Sequence, residues 1–488
     1  MRREAGFVLL VVLVVVAAAV LAVTGTIFLI RGEVAGTANA GEAVRTRAVA
    51  WSGVQAIAAT LGQARGEILA GGDPIVEASF TVWEEGGERG TVRLLPLGPA
   101  ARTLVAENAK VDLGRLGAED LARSGALDAD AAARVVAARD ACGPRPLDLS
   151  SLLAHGALPE DLHGELDEAF LAAFGDADSD DAELAAASRD AAMAIARDAA
   201  PAPRGLSDLA TVFAFDPPVR ADGSPRIVLS GELDAAEREE IEELFGDGAA
   251  AALERAAADV TDEAALLAAW ASVRPDPAAW SALLAAVTLI EGGLDEGRID
   301  LLRADEAALR ALPGLPDEAP ARIVREREAV PDDDRLDPAW LVKRGILDAE
   351  TFRTLLPRLA TRSLFWRVRV EGRIERLAGE GEPTAASRTI LEAVIDLTGE
   401  RPRLASLRDV TALPDAIRML AATPEREVAV EPEEESVADF TPENDVRSDV
   451  PEPSPTTIDA DPAPAAPVEP VPAARSGATG IGRWKRGG

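Results

Sequence analysis

Residues 7–30 read FVLLVVLVVVAAAVLAVTGTIFLI, a run without a charged side chain, relieved only by Thr24, Gly25 and Thr26. At ~1.5 Å per residue a helix of this length covers a hydrocarbon core of about 30 Å, so the run predicts a transmembrane helix. Only residues 1–6, MRREAG, stand in front of it. A secretory signal carries a shorter apolar core of roughly 7–15 residues, and the run reads as an uncleaved-core anchor instead. Arg2, Arg3 and the α-amine against Glu4 leave the leader positive. The positive-inside rule then keeps residues 1–6 cytoplasmic and sends the remainder across, a bias that Arg31 weakens a little.

Composition narrows the function classes. The chain has 488 residues, enough for two or more domains, and a formal charge of −34 that repels a polyphosphate partner. Nucleic acid is therefore not expected as a partner. Cys142 is the single cysteine, so no intrachain disulfide forms. His155 and His163 are the only histidines, and their spacing suits no zinc pair on a helix. Asp176-Ala177-Asp178-Ser179-Asp180 alternates like a calcium loop, but Asp181 occupies the position of the loop glycine and Ala187 that of the distal glutamate. No glycine-rich phosphate loop or nucleophile elbow is present. The expectation is a non-enzymatic protein with no cofactor and no metal.

Following the first helix, Val44, Ala48, Trp51, Val54, Ile57, Ala58 and Leu61 recur at three and four, predicting an amphipathic continuation with that face buried. Alternation over Ile75–Trp83 and Gly90–Leu95 around a turn-rich 84–89 predicts a β-hairpin, and Thr103–Leu113 a short run leading into helices. The middle of the chain repeats itself. At an offset of 188, Lys110-Val111-Asp112-Leu113 falls on Arg298-Ile299-Asp300-Leu301, Leu121 on Leu309, Ala133–Val136 on Ala321–Val324 and Arg139 on Arg327. With one added residue, Gly156 falls on Gly345. A duplicated helical unit is expected. In the second copy, residues 307–327 resemble a helix-hairpin-helix with Pro313 ending the first helix and Gly314 in the hairpin. Pro316, with no N–H, and Asp317 and Glu318 make phosphate binding there improbable on chemical grounds, so the motif reads as a packing unit. Arg226-Ile227-Val228-Leu229 opens a third, diverged copy, with Ser230 as a helix N-cap and Trp270 and Trp280 as core anchors. From Ser363 the period returns to two: Leu364, Trp366, Val368 and Val370 against a solvated face carrying Arg367 and Arg369, with Gly372 as a turn. Further strands are expected at Thr389–Leu397 and Arg403–Val410. Residues 421–488 are rich in Pro, Glu, Asp, Ala and Ser, and predict a disordered tail.

The junction Glu4-Ala5-Gly6-Phe7-Val8-Leu9-Leu10 resembles a prepilin-peptidase site, which implies cleavage after Gly6 and N-methylation of Phe7. Position 11 is Val11 where most pilin-like subunits carry Glu. Together with the repeat at 298–347 and the closing strands, the chain resembles the general secretion pathway protein K family, the tip subunits of the type II secretion pseudopilus. The resemblance implies an α+β fold: an N-terminal transmembrane helix extending into a pilin-like antiparallel sheet with a large all-α insertion. The implied parts are a leader at 1–6, a transmembrane helix at 7–30, a pilin-like domain at 31–109 and 363–420, a helical insertion at 110–362 and the tail at 421–488. The implied role is a minor pseudopilin that initiates pseudopilus assembly and supports protein export. Its partners would be other minor pseudopilins, the major pseudopilin, prepilin peptidase and the inner-membrane secretion platform. Its location would be the inner membrane, single-pass, with the C-terminal domain in the periplasm. The alternative is a membrane-anchored helix-hairpin-helix receptor for DNA uptake.

Overall fold

The computed structural model describes residues 4–97, 102–143, 148–158, 161–162, 205–229, 233–257, 260, 262–290, 293–376 and 384–412. The side chains of residues 4–19, 22, 35, 332, 333 and 384–386 lie outside that description. The first helix, α1 (Glu4–Gln63), runs unbroken through the apolar stretch and its amphipathic continuation. The apolar run and its expected amphipathic continuation thus form a single 60-residue element. Among the described residues no helix is long and apolar enough to cross a membrane. That finding overturns the expected N-terminal transmembrane helix.

A short α2 (Arg65–Leu69) follows, then the hairpin of β1 (Ser79–Glu85) and β2 (Glu88–Leu95). Its two-residue loop, Gly86-Gly87, has φ of 63° and 79°, a backbone that only glycine adopts without strain and that matches the twist of an antiparallel pair. β3 (Leu104–Ala106) leads out of the sheet.

The middle of the chain forms three consecutive modules, each closed by a two-residue parallel ladder. In the first, β4 (Val111–Asp112) pairs with β5 (Ala210–Thr211), enclosing α3 (Ala118–Arg123) and α4 (Ala129–Ala141). After β6 (Phe215–Asp216), the second runs from β7 (Ile227–Val228) to β8 (Val287–Thr288). It carries α5 (Ala235–Phe245), α6 (Ala249–Ala257), α7 (Glu263–Val273) and α8 (Pro277–Ala286). β9 (Asp295–Glu296) pairs antiparallel with β6, tying together the two inter-module segments. The third joins β10 (Ile299–Asp300) to β11 (Leu359–Ala360) around α9 (Glu306–Arg310), α10 (Ala319–Glu326) and α11 (Ala349–Leu355). The insertion expected as all-α is thus corrected to helical modules stitched by short strands. Arg226–Leu229, read as a helix entry, contributes strand β7.

Much of the acidity in this region is used to start helices. Asp128, Asp234, Asp262, Asp276, Asp305 and Asp348 each accept a hydrogen bond from a backbone N–H in the first turn of the following helix, a cap worth about 1 kcal/mol. Ser230, expected as such a cap, lies outside the described residues. The helix-hairpin-helix is formed by α9 and α10. Gly314 sits at φ 88° in its turn, and Leu309, Leu315 and Ile323 are buried.

The chain then returns through β12 (Phe365–Arg376), β13 (Thr384–Asp396) and β14 (Arg403–Asp409). The open antiparallel sheet has the order β1-β2-β12-β13-β14. β3 and β2 share one edge of β12 end to end, at Trp366–Val368 and Arg369–Arg376. Gly372, expected as a turn, lies inside β12.

Candidate functional site

The defining geometry of the molecule is the way α1 leaves the sheet. Its buried face is Thr46, Val49, Ala50, Val54, Ile57, Ala58 and Leu61, spaced by three and four as a helix on a flat surface requires. It packs on Val92, Leu94, Trp366, Val368, Val370, Leu391, Ala393 and Ile395. Of the expected face, Val54, Ile57, Ala58 and Leu61 are buried, whereas Val44, Ala48 and Trp51 are turned outward, Val44 69% and Trp51 42% exposed. Close approach decides the rotation. A Cβ on Gly372 would lie 2.4 Å from Ala50 N and 2.7 Å from Thr46 O, so only glycine lets the helix backbone rest against β12. Thr46 Oγ1 and Thr389 Oγ1 lie 2.8 Å apart in the same contact.

Ion pairs ring the helix where it emerges. Arg45 pairs with Glu88, and its guanidinium lies 5.7 Å from the Trp83 ring. Arg47 reaches Asp409 at 2.6 Å and Arg376 reaches Glu42 at 2.7 Å. These pairs are solvent-facing and therefore screened, so each contributes little to stability. They fix the direction of the helix more than the stability of the fold.

Beyond this collar the described side chains of α1 from residue 20 are uncovered. Val20, Leu21, Val23, Ile27, Phe28, Leu29, Ile30 and Val34 are exposed, Leu21 and Leu29 to 73%. Ile27 to Ile30 are consecutive, so at roughly 100° per residue they point to every side of the helix. There is no single stripe. The hydroxyls of Thr24 and Thr37 donate to the carbonyls of Val20 and Glu33 one turn back, so both polar groups are satisfied within the helix.

The sheet face opposite α1 is polar but not solvated, which corrects the expectation for Arg367 and Arg369. Arg367 bridges Glu107 and Glu392, both at 2.6 Å, and Arg369 reaches Glu392 at 2.6 Å. Glu371 accepts from Arg93 and Arg373, each at 2.9 Å. Burial alone would raise the Glu107 and Glu392 carboxyls, yet the adjacent arginines hold both below the usual carboxylate range. Lys110 is pushed down by burial, with Glu107 opposing. Such a lattice fixes the sheet against the first module through Glu107.

Gly6 and Phe7 lie within the first turns of α1; the side chain of Phe7, like that of Val11, falls outside the described residues. His155 ends a 3-10 turn, Leu149–His155, and is exposed. His163, the run 176–181 with Ala187, and the tail from 421 lie outside the described residues. Cys142 is half-buried, with Sγ 3.9 Å from Ser151 O. Among the described residues no group of three or more His, Cys, Asp or Glu side chains could hold a metal ion. Arg226 and Arg298, legible in the sequence only as the first residues of repeated strands, are buried in a cluster of charges.

No family model, no curated protein and no solved structure matches the chain. The resemblance to the general secretion pathway protein K family is therefore corrected. It rested on a six-residue leader and on short runs common in Ala-rich sequence. With it fall the pseudopilin role, the prepilin processing it implied and the inner-membrane, single-pass location, which the described helices also fail to support. The membrane-anchored DNA receptor falls on the same ground.

Proposed function

We propose that this protein is a non-catalytic assembly subunit, in which a rigid head holds out the apolar half of α1 to be bundled with the α1 helices of other copies. The observation that carries the reading is the exposure of Ile27, Phe28, Leu29 and Ile30 on all sides of one helix. A helix apolar all round is stable only when it is surrounded, and one flat partner surface would leave half of these side chains in water. Each such side chain gains roughly 1.5–3 kcal/mol when fully covered, so the exposed segment carries enough apolar surface to hold several chains together. Residues 20–34 extend about 22 Å, sufficient for four turns of packing.

Nucleic acid is not part of the proposal. The net charge of −34 opposes it, and in the helix-hairpin-helix the Leu315 N–H is spent on Leu312 O. The test is site-directed cross-linking. With Cys142→Ser removing the native thiol, Phe28→Cys is expected to give disulfide-linked dimers under mild oxidation, whereas Asp222→Cys, on an exposed head loop, gives none. Absence of the Phe28→Cys dimer would contradict the reading.

A further inference from the structure

The residues that open the second and third modules meet in one buried cluster. Arg226 donates through Nη1 to Asp295 Oδ2 at 2.9 Å and through Nη2 to Asp216 Oδ2 at 2.7 Å. Arg298 donates through Nη2 to both carboxylate oxygens of Glu263, at 2.6 and 2.8 Å, and lies 3.0 Å from Asp295. Arg362, which follows β11, donates to Val219 O and keeps Nε 3.7 Å from Asp216. Arg220 pairs with Glu240.

A cavity of about 110 Å³ opens beside the cluster. Its charged lining is Arg220, Arg226, Arg298 and Arg362 against one carboxylate, Asp216. Leu69, Leu284 and Leu336 supply apolar wall, which strengthens electrostatic interactions inside by excluding water. Two donors are unspent. Arg220 Nε and Arg226 Nε are buried and have no hydrogen-bond partner, although the Arg226 side chain is only 4% exposed. A buried guanidinium N–H without an acceptor is destabilising, and both residues line the same cavity.

From this geometry we propose that the cavity binds a small tetrahedral oxyanion of the phosphate or sulfate type, accepting hydrogen bonds from the free Nε–H edges of Arg220 and Arg226. The planar guanidinium matches two oxygens of such an ion, and the volume, below the roughly 150 Å³ that takes a benzene, suits a bare ion or the terminal group of a phosphate monoester. The four arginines face four carboxylates, Asp216, Glu240, Glu263 and Asp295. Of these carboxylates only Asp216 lines the cavity, against four arginines, so the charge nearest the ion is net positive and favours an anion. The ion would sit where the second and third modules meet, held by Arg220 and Arg226 of the segment that leads into the second, with Arg298 and Arg362 of the third in the cavity wall.

The test is isothermal titration of the full chain with sodium phosphate and sodium sulfate, using sodium chloride at matched ionic strength as the control. Saturable binding of phosphate or sulfate, with none for chloride, is expected. Glycerol phosphate separates the sources: equal affinity assigns the site to a phosphoryl terminus, and weaker binding to the free ion. Arg220→Gln, at the more exposed end of the cluster, is expected to weaken binding at least tenfold. Ala285→Phe, which adds bulk at a solvent-exposed cavity position, should abolish binding while leaving the ligand-free melting temperature unchanged. Absence of saturable binding, equal heats with chloride, or wild-type affinity in both variants would overturn the proposal.

Discussion

Arg139 and Arg327, 188 positions apart, make the same hydrogen bonds to carbonyls that are also 188 apart: Arg139 Nη1 to Leu113 O and Leu116 O, Arg327 Nη1 to Leu301 O and Ala304 O. In the first and third modules a guanidinium from a helix satisfies the carbonyls of the turn that follows the opening strand. The aspartate of that strand does the same for its amides, Asp112 receiving Gly114 N and Asp300 receiving Leu302 N at 2.9 Å. Gly156 and Gly345 occupy matching left-handed turns.

The equivalence has a measurable consequence. Arg139→Met and Arg327→Met each leave two turn carbonyls without their donor, and each is expected to cost about 1–3 kcal/mol in denaturant unfolding. Matching losses support one packing device used twice. A loss confined to one variant would show that only one copy depends on it.

Gly372→Val tests the seating of α1. The new side chain meets the backbone of Ala50 and Thr46, which cannot rotate away, so a loss of about 1–3 kcal/mol is expected from overpacking. Gly32→Ala provides the contrast, since nothing lies within 4 Å of its Cβ position. Its expected effect is a gain in helix content by circular dichroism, worth up to ~1 kcal/mol.

The charged lattice under the sheet and the cluster around Asp216 set the response to acid. Glu107, Glu392 and Asp216 are all held below their ordinary values by adjacent arginines that outweigh burial. A depressed folded value means that the unfolded chain binds protons first. The stabilisation is therefore present above the unfolded values near pH 4 and is lost as pH falls through them toward the folded values. Melting temperature is expected to be flat from pH 7 to about 5 and to drop below it. Glu392→Gln should start lower, because two buried arginines lose their carboxylate, and then show a shallower drop. An identical acid profile in the variant would detach the effect from this lattice.

The sheet strands were legible because their alternation spans seven or more residues, and the offset-188 repeat because hydrogen-bonding residues such as Arg139 and Asp112 recur with the apolar ones. The closing ladders were not. Two residues carry no period, although Leu209-Ala210-Thr211 and Leu359-Ala360-Thr361 repeat the same triplet at the ends of the first and third modules. Hydrophobicity found Val54, Ile57, Ala58 and Leu61 but misplaced the other end of the buried face because it weights Trp51 and Val44, whereas backbone contact at Gly372 favours Thr46 and Ala50. Arg367 read as solvated because its partner Glu107 lies 260 residues away in the chain, and Arg369 because its partner Glu392 lies across on the neighbouring strand β13. The long apolar run led to a family identity that the comparisons contradict; its exposure around the helix is the feature that carries the functional reading.

The most direct measurement of that reading is the mass of the intact chain in solution by light scattering coupled to size exclusion, beside a variant carrying Phe28→Asp and Ile30→Asp. The account expects oligomers for the wild type, and monomers with an unchanged near-ultraviolet spectrum for the variant. A wild-type chain that is monomeric across the concentration range, with α1 still helical, would contradict it.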